Sequence, residues 1–195
     1  MATNGMIKFK SNNEEKGLFT KYSADIFGEL CEELTLLPTN ALKKIMGYLQ
    51  ENNGGYLDMF DPKSWCEYGY IIDLDKLKYD TYSVYAPQTN LDSTTRRLNY
   101  VGTNNFDRVK EVEEEKHSLI ITWDGLYKGL YDLPLTEEQT QKLADILIST
   151  GEWFARNVFN SIAQDYKPLP ETIPDDWIIL DTNKYVEEQN KKHHL

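Results

Sequence analysis

The chain has 195 residues, with 32 acidic and 21 basic side chains and a formal net charge of −11. At 40% hydrophobic and 12% aromatic it is too rich in Tyr, Trp, Phe, Ile and Leu to stay disordered, and its length fits one globular domain spanning 1–195. The negative balance excludes general affinity for nucleic-acid phosphates or anionic membranes, which repel such a chain unless a local basic patch intervenes.

No apolar run approaches the roughly 18 to 20 residues of a membrane span, and the first residues lack a charged and then apolar leader, so a cytoplasmic location is expected. Cys31 lies in a helical pattern and Cys66 just ahead of a strand pattern, without CxxC or His/Cys ligand spacing. Neither a disulfide nor a structural metal is expected, and no cofactor is implied.

In chain order, Ile7-Lys8-Phe9 reads as a short strand, after which Asn12, Asn13 and Gly17 punctuate the chain. Ile26, Phe27, Leu30, Leu34 and Leu37 recur at helical spacing over 24–37, and Pro38 stops that helix. Thr39 or Asn40 caps a second helix reaching about residue 50, striped by Leu42, Ile45, Met46 and Leu49. The first quarter therefore reads as a helical hairpin. From Trp65 the period drops to two, with Tyr68, Tyr70, Ile72 and Leu74 on one face and Glu67, Gly69, Ile71, Asp73 and Asp75 on a solvated one. A turn over 76–80 leads into a strand over 81–85, completing a β-hairpin.

Residues 98–101 and 118–123 read as third and fourth strands, with Gly125 and Gly129 marking turns. Thr136 and Gln139 form a capping box that starts a long helix, with Leu135 as its staple. Leu143, Ile146, Leu147, Phe154, Val158 and Ile162 carry its stripe to about Tyr166, and Pro168 and Pro170 stop it. Residues 177–180 form an edge strand or an apolar clamp, and Asp181 or Thr182 caps a short last helix. The expected fold is α+β: an N-terminal helical hairpin, a central antiparallel sheet of about four strands, and one long C-terminal helix packed on the sheet.

Readable catalytic signatures are missing. The chain has no GxSxG, GxGxxG or HExxH, and no GxxxxGK followed by Ser or Thr. His117, His193 and His194 have no nucleophile at a recognisable spacing. Asp73-Leu74-Asp75, following Tyr70-Ile71-Ile72, places two carboxylates one residue apart at a strand end, a geometry that suits magnesium. It resembles the hhhDxD opening of haloacid-dehalogenase-type phosphatases. That resemblance implies a small metal-dependent phosphoesterase using Asp73 and Asp75; the wider enzyme alternative is a small enzyme of a class without a readable motif, with Asp73, Asp75, Glu67 or Asp124 as metal ligands or acid–base groups. Such phosphatases carry Thr or Val two residues after the second Asp, where this chain has Leu77, and strand alternation already accounts for both acids as a solvent face.

Tyr68, Tyr70, Tyr79, Tyr82 and Tyr85 read as a tyrosine-lined core or protein-binding face, since acids outnumber the lysines around them. Arg96-Arg97 reads as a solvated turn. Residues 98–195 hold 18 acidic and 10 basic side chains, a balance of −8, in runs that include Glu111 and Glu113 to Glu115, then Glu171, Asp175, Asp176 and Asp181. The expected function is that of a non-enzymatic acidic interaction protein, a small regulator or inhibitor. Its Glu113, Glu114, Glu115, Asp175 and Asp176 dock on a basic protein partner, at a place where that partner holds nucleic acid. No direct binding of nucleic acid or membrane is expected. The competing explanation of the same charge is solubility.

Overall fold

The computed structural model describes residues 4–20, 24, 27–49, 58–61, 66–86, 98–106, 111–149 and 167–193. Two units follow one another along the chain, Met1–Val109 and Lys110–Leu195, and each builds its own sheet.

The first unit opens with a β-hairpin. Asn12 and Asn13 both take positive φ, 51° and 65°, the left-handed pair that a two-residue turn needs and that Asn tolerates better than most side chains. β1 (Gly5–Ser11) therefore folds back on β2 (Glu14–Thr20). The helices α1 (Phe27–Leu34) and α2 (Thr39–Tyr48) come next. The chain then returns as β3 (Tyr68–Asp73), parallel to β1, and continues antiparallel through β4 (Lys78–Ser83) and β5 (Asn99–Asn105). The sheet order is β2-β1-β3-β4-β5.

This order makes β3 the central strand, so Tyr70, Ile71, Ile72 and Asp73 are all buried where alternation alone predicts a solvated face. Register aligns Ile7 with Tyr70 and Phe9 with Ile72, and α1 packs against β3. On the opposite face Met6 and Ile71 join Met59 and Cys66, with Phe19, Tyr82 and Leu98 packed around them. β3 is thus covered on both faces, by α1 on one and by this cluster on the other.

In the second unit β6 (His117–Trp123) turns through Asp124 and Gly125, at φ 48° and 76°, into β7 (Leu126–Leu133). Gly129 lies within β7 and makes no turn. A Cβ there would stand 2.5 Å from Ile120 Cδ1 and 2.8 Å from the Tyr131 ring, so any larger residue would have to displace one of these side chains. β8 (Lys167–Pro168) pairs with β7, and β9 (Trp177–Asp181) runs parallel to β6, giving the order β8-β7-β6-β9.

α3 (Glu137–Ser149) starts with the expected capping box: Thr136 N donates to Gln139 Oε1 at 3.0 Å, and Gln139 N donates to Thr136 Oγ1 at 3.2 Å. It packs on β6 and β9 and buries Leu143, Ile146 and Leu147. α4 (Thr182–His193) is capped by Asp181, whose Oδ1 accepts from Asn183 N at 3.0 Å and Lys184 N at 3.2 Å.

The α+β class stands, but the expected arrangement is corrected. Among the described residues, four helices and two mixed sheets of five and four strands replace the N-terminal helical hairpin, the single antiparallel sheet of about four strands and the long C-terminal helix. The strands at 68–73 and 78–83 belong to the first sheet, and the one at 117–123 to the second. Periodicity marks a strand without naming its partner, and the parallel pairs β1–β3 and β6–β9 join segments too distant for any local signal. The described part of α3 ends at Ser149, and Phe154, Val158 and Ile162 fall outside the described residues. No described helix is long and apolar enough to cross a membrane.

Candidate functional site

Parallel neighbours start from the same end of a sheet, so the β6–β9 pairing decides where the acidic segments of the second unit lie. Ser118 stands opposite Trp177, and the approaches to these strands, 111–116 and 174–176, therefore arrive side by side. The joint is hydrogen-bonded: Ser118 N donates to Asp176 O at 2.9 Å, and Ser118 Oγ donates to Asp176 Oδ2 at 3.3 Å. Glu113, Glu114, Glu115 and Asp175 are exposed, and Asp176 is half-buried by its bonds to Ser118. All five sequence-predicted residues thus share one end of one sheet.

The same end gathers acids that sequence reasoning passed over. β7 runs antiparallel to β6 and finishes here, with Leu133 opposite His117. Asp132 is exposed at φ 50°, and Glu137 and Glu138 are exposed in the first turn of α3. Each has a local explanation that hides it: a strained strand end for Asp132, the positive end of the helix dipole for the two glutamates. Carboxylates within a Debye length of about 8 Å of one another add their fields. Lys116 is the one base in 111–116, and half-buried His117 encloses an Nδ1 that makes no hydrogen bond.

Asp73 is buried where the sequence predicts a solvent face, while Asp75 is exposed as predicted. Asp73, 8% exposed, caps the β3–β4 turn: its Oδ1 accepts from Asp75 N at 3.2 Å and Lys76 N at 2.9 Å, and Lys76 Nζ lies 3.2 Å from Oδ2. Burial pushes this carboxyl up, but the amide and ammonium of Lys76 outweigh it and hold it below its ordinary value. The turn carries Leu77 at φ 51°, a conformation that costs about 1 kcal/mol or more and that these hydrogen bonds offset. Asp75 reaches to the other hairpin, accepting from Ser11 Oγ at 3.1 Å and Asn12 N at 2.6 Å, with Lys43 Nζ 3.8 Å away.

Glu67, beyond the far end of β3, accepts from Tyr85 Oη at 2.8 Å, while Asp124 accepts from Asn183 Nδ2 at 3.1 Å in the second unit. Among the described residues no group of three His, Cys, Asp or Glu is disposed to hold a metal ion. Cys31 and Cys66 are buried, and burial, with Glu32 beside it, pushes the Cys31 thiol well above its ordinary value, which suppresses the thiolate a nucleophile needs.

The tyrosines do not form one platform. Tyr70 and Tyr79 are buried on the face where α1 packs, Tyr82 lies on the opposite face against Phe60 at 5.0 Å, and Tyr68 meets exposed Tyr85 at 5.9 Å. Arg96, Arg97 and His194 fall outside the described residues. Comparison with protein-family models, with curated proteins and with solved structures finds no match to this chain.

Proposed function

We propose that the protein is a non-enzymatic interaction protein of the cytoplasm, a regulator or inhibitor that sets the acidic end of its second sheet against a basic protein partner. One observation supports this reading: the β6–β9 pairing brings the segment before Ser118, which holds Glu113, Glu114 and Glu115, and the segment before Trp177, which holds Asp175 and Asp176, to the same end of the second sheet, although 58 positions separate Ser118 from Asp176 in the chain. Charge needed only for solubility works when dispersed, whereas convergence focuses a field toward an approaching partner. A basic groove that receives phosphates receives carboxylates through the same charge-assisted hydrogen bonds, so the partner is one that holds nucleic acid at the docking site. The phosphoesterase alternative draws less support, because the oxygens of Asp73 and Asp75 already accept from turn amides and face lysines.

The test is capture of partners from the source cells on the immobilised chain, beside a variant carrying Glu113→Lys, Glu114→Lys and Glu115→Lys. The wild-type chain retains a basic protein that DNA or RNA elutes, and the variant loses it. Equal retention on both, or retention that nucleic acid leaves untouched, refutes the reading.

A further inference from the structure

Along β9 the two faces differ. Leu180 is buried while Ile179, pointing the other way, is 40% exposed, so α3 packs on the Leu180 face and the Ile179 face is the more open one. Register puts Ser118 and Ile120 of β6, Trp177 of β9, and Tyr127, Gly129 and Tyr131 of β7 on that open face. Three rings meet there above Ile120, which is fully buried: Trp177 lies 5.2 Å from Tyr127, tilted 47°, and 6.1 Å from Tyr131, tilted 55°. Gly129, opposite Ile120, makes room for them, since the Tyr131 ring lies 2.8 Å from where a Cβ would stand. All three rings are half-buried.

A carboxylate stands beside the rings. Ser118 is the register partner of Trp177, so their side chains share the face, and Ser118 Oγ donates to Asp176 Oδ2 at 3.3 Å. The Asp176 carboxylate is thereby fixed next to the indole, at the end of the sheet where Asp132 and Asp175 are exposed. Lys167, opposite Tyr127 on β8, stands three strand spacings, about 14 Å, from β9. Aromatic faces attract a cation through their quadrupole, and a carboxylate at the same place adds its charge. A planar guanidinium uses both, lying flat on a ring while its edge donates to the carboxylate, whereas an ammonium is a compact, strongly hydrated point charge.

We infer that Trp177, Tyr127 and Tyr131, together with the Asp176 carboxylate, form the seat for an arginine side chain of the basic partner. This rests on the docking role proposed for the acidic end. The work there is divided: exposed Glu113, Glu114, Glu115 and Asp175 attract any basic chain, and the rings with Asp176 select arginine over lysine.

Isothermal titration calorimetry of the full chain with capped hexa-arginine and capped hexalysine, equal in charge, tests this at about 0.05 M salt. Hexa-arginine binds about tenfold tighter. Trp177→Leu and, separately, Tyr127→Leu keep the wild-type circular dichroism and bind the two peptides alike. Nuclear magnetic resonance supplies a readout that does not depend on the variants: the Trp177 indole N–H resonance of the wild-type chain moves with hexa-arginine and far less with hexalysine at equal saturation. The triple variant Glu113→Lys, Glu114→Lys, Glu115→Lys binds both peptides more weakly and keeps their ratio. Equal affinity for the two peptides, no binding of either, a preference that survives both ring variants, or an indole resonance that hexa-arginine leaves in place overturns the inference. An arginine preference that persists while the triple variant binds both peptides as tightly as the wild type upholds it and overturns the docking role of the three glutamates instead.

Discussion

Ser118 grips Asp176 twice, amide to carbonyl at 2.9 Å and hydroxyl to carboxylate at 3.3 Å, while its Oγ also accepts the Asp132 amide at 3.1 Å. One buried hydroxyl thereby ties together β6, the end of β7 and the approach to β9. Ser118→Ala leaves the Asp132 amide without this acceptor and releases the Asp176 carboxylate. A loss of about 1 to 2 kcal/mol is expected in urea denaturation, and unchanged stability would show that these bonds contribute nothing net.

Reversal of Glu113, Glu114 and Glu115, or of Asp175 alone, slows association with the basic partner while dissociation changes little. The difference from wild type is large at about 0.05 M salt, where the Debye length is about 14 Å, and shrinks at about 0.5 M, where it is about 4 Å. Stopped-flow binding at the two salt concentrations measures this. Asp176→Lys behaves differently, because it also breaks the Ser118 bond and lowers the melting temperature.

Leu143 and Leu147 are buried on the face of α3 that packs against β6 and β9. Truncating either to Ala is expected to cost about 2 to 5 kcal/mol. Glu138→Ala, one turn earlier and exposed, stays within about 0.5 kcal/mol. Chemical denaturation of the three variants compares them directly, and a Leu147→Ala chain as stable as the wild type would remove the helix from its place on the sheet.

The Asp73 carboxyl is held below its unfolded value of 3.8. The folded chain therefore binds this proton more weakly than the unfolded one. The stability it contributes is complete above that value and is lost as pH falls through the lower folded value. Asp73→Asn removes the contribution, so the wild-type advantage in urea midpoint, present at about pH 5, closes toward about pH 2. An advantage constant across that range would assign the stability to the turn hydrogen bonds alone.

What the sequence discloses depends on how far its partners lie. The Thr136–Gln139 box is readable because both halves sit within one helical turn, and 68–73 and 117–123 declare themselves through aromatic and β-branched composition. β2 is hidden because Glu14-Glu15-Lys16-Gly17 shows no alternation, and β7 because Gly129 imitates a turn while serving as a close approach. Asp73 misleads because alternation assumes one wet face, which a central strand does not have. The acidic runs of the site are plain in the sequence, but their meeting is not, since it follows from a parallel pair that no local pattern encodes.

The parallel pairing of β1 with β3 also imposes an order in time. β1 and β2 are both made by residue 20, yet β3 begins at Tyr68, 63 residues after Gly5. From Thr20 to Tyr68 is 48 residues, so at about 5 to 20 residues per second a ribosome leaves the hairpin waiting about 2 to 10 s for that neighbour. A two-stranded hairpin alone is marginal in water, so Ile7 and Phe9, fully buried in the finished sheet, spend this interval exposed on the nascent chain. The first strand to be synthesised is thus among the last to be fixed, and its closure over a long loop is the slow, non-local step that sets the pace for the first unit.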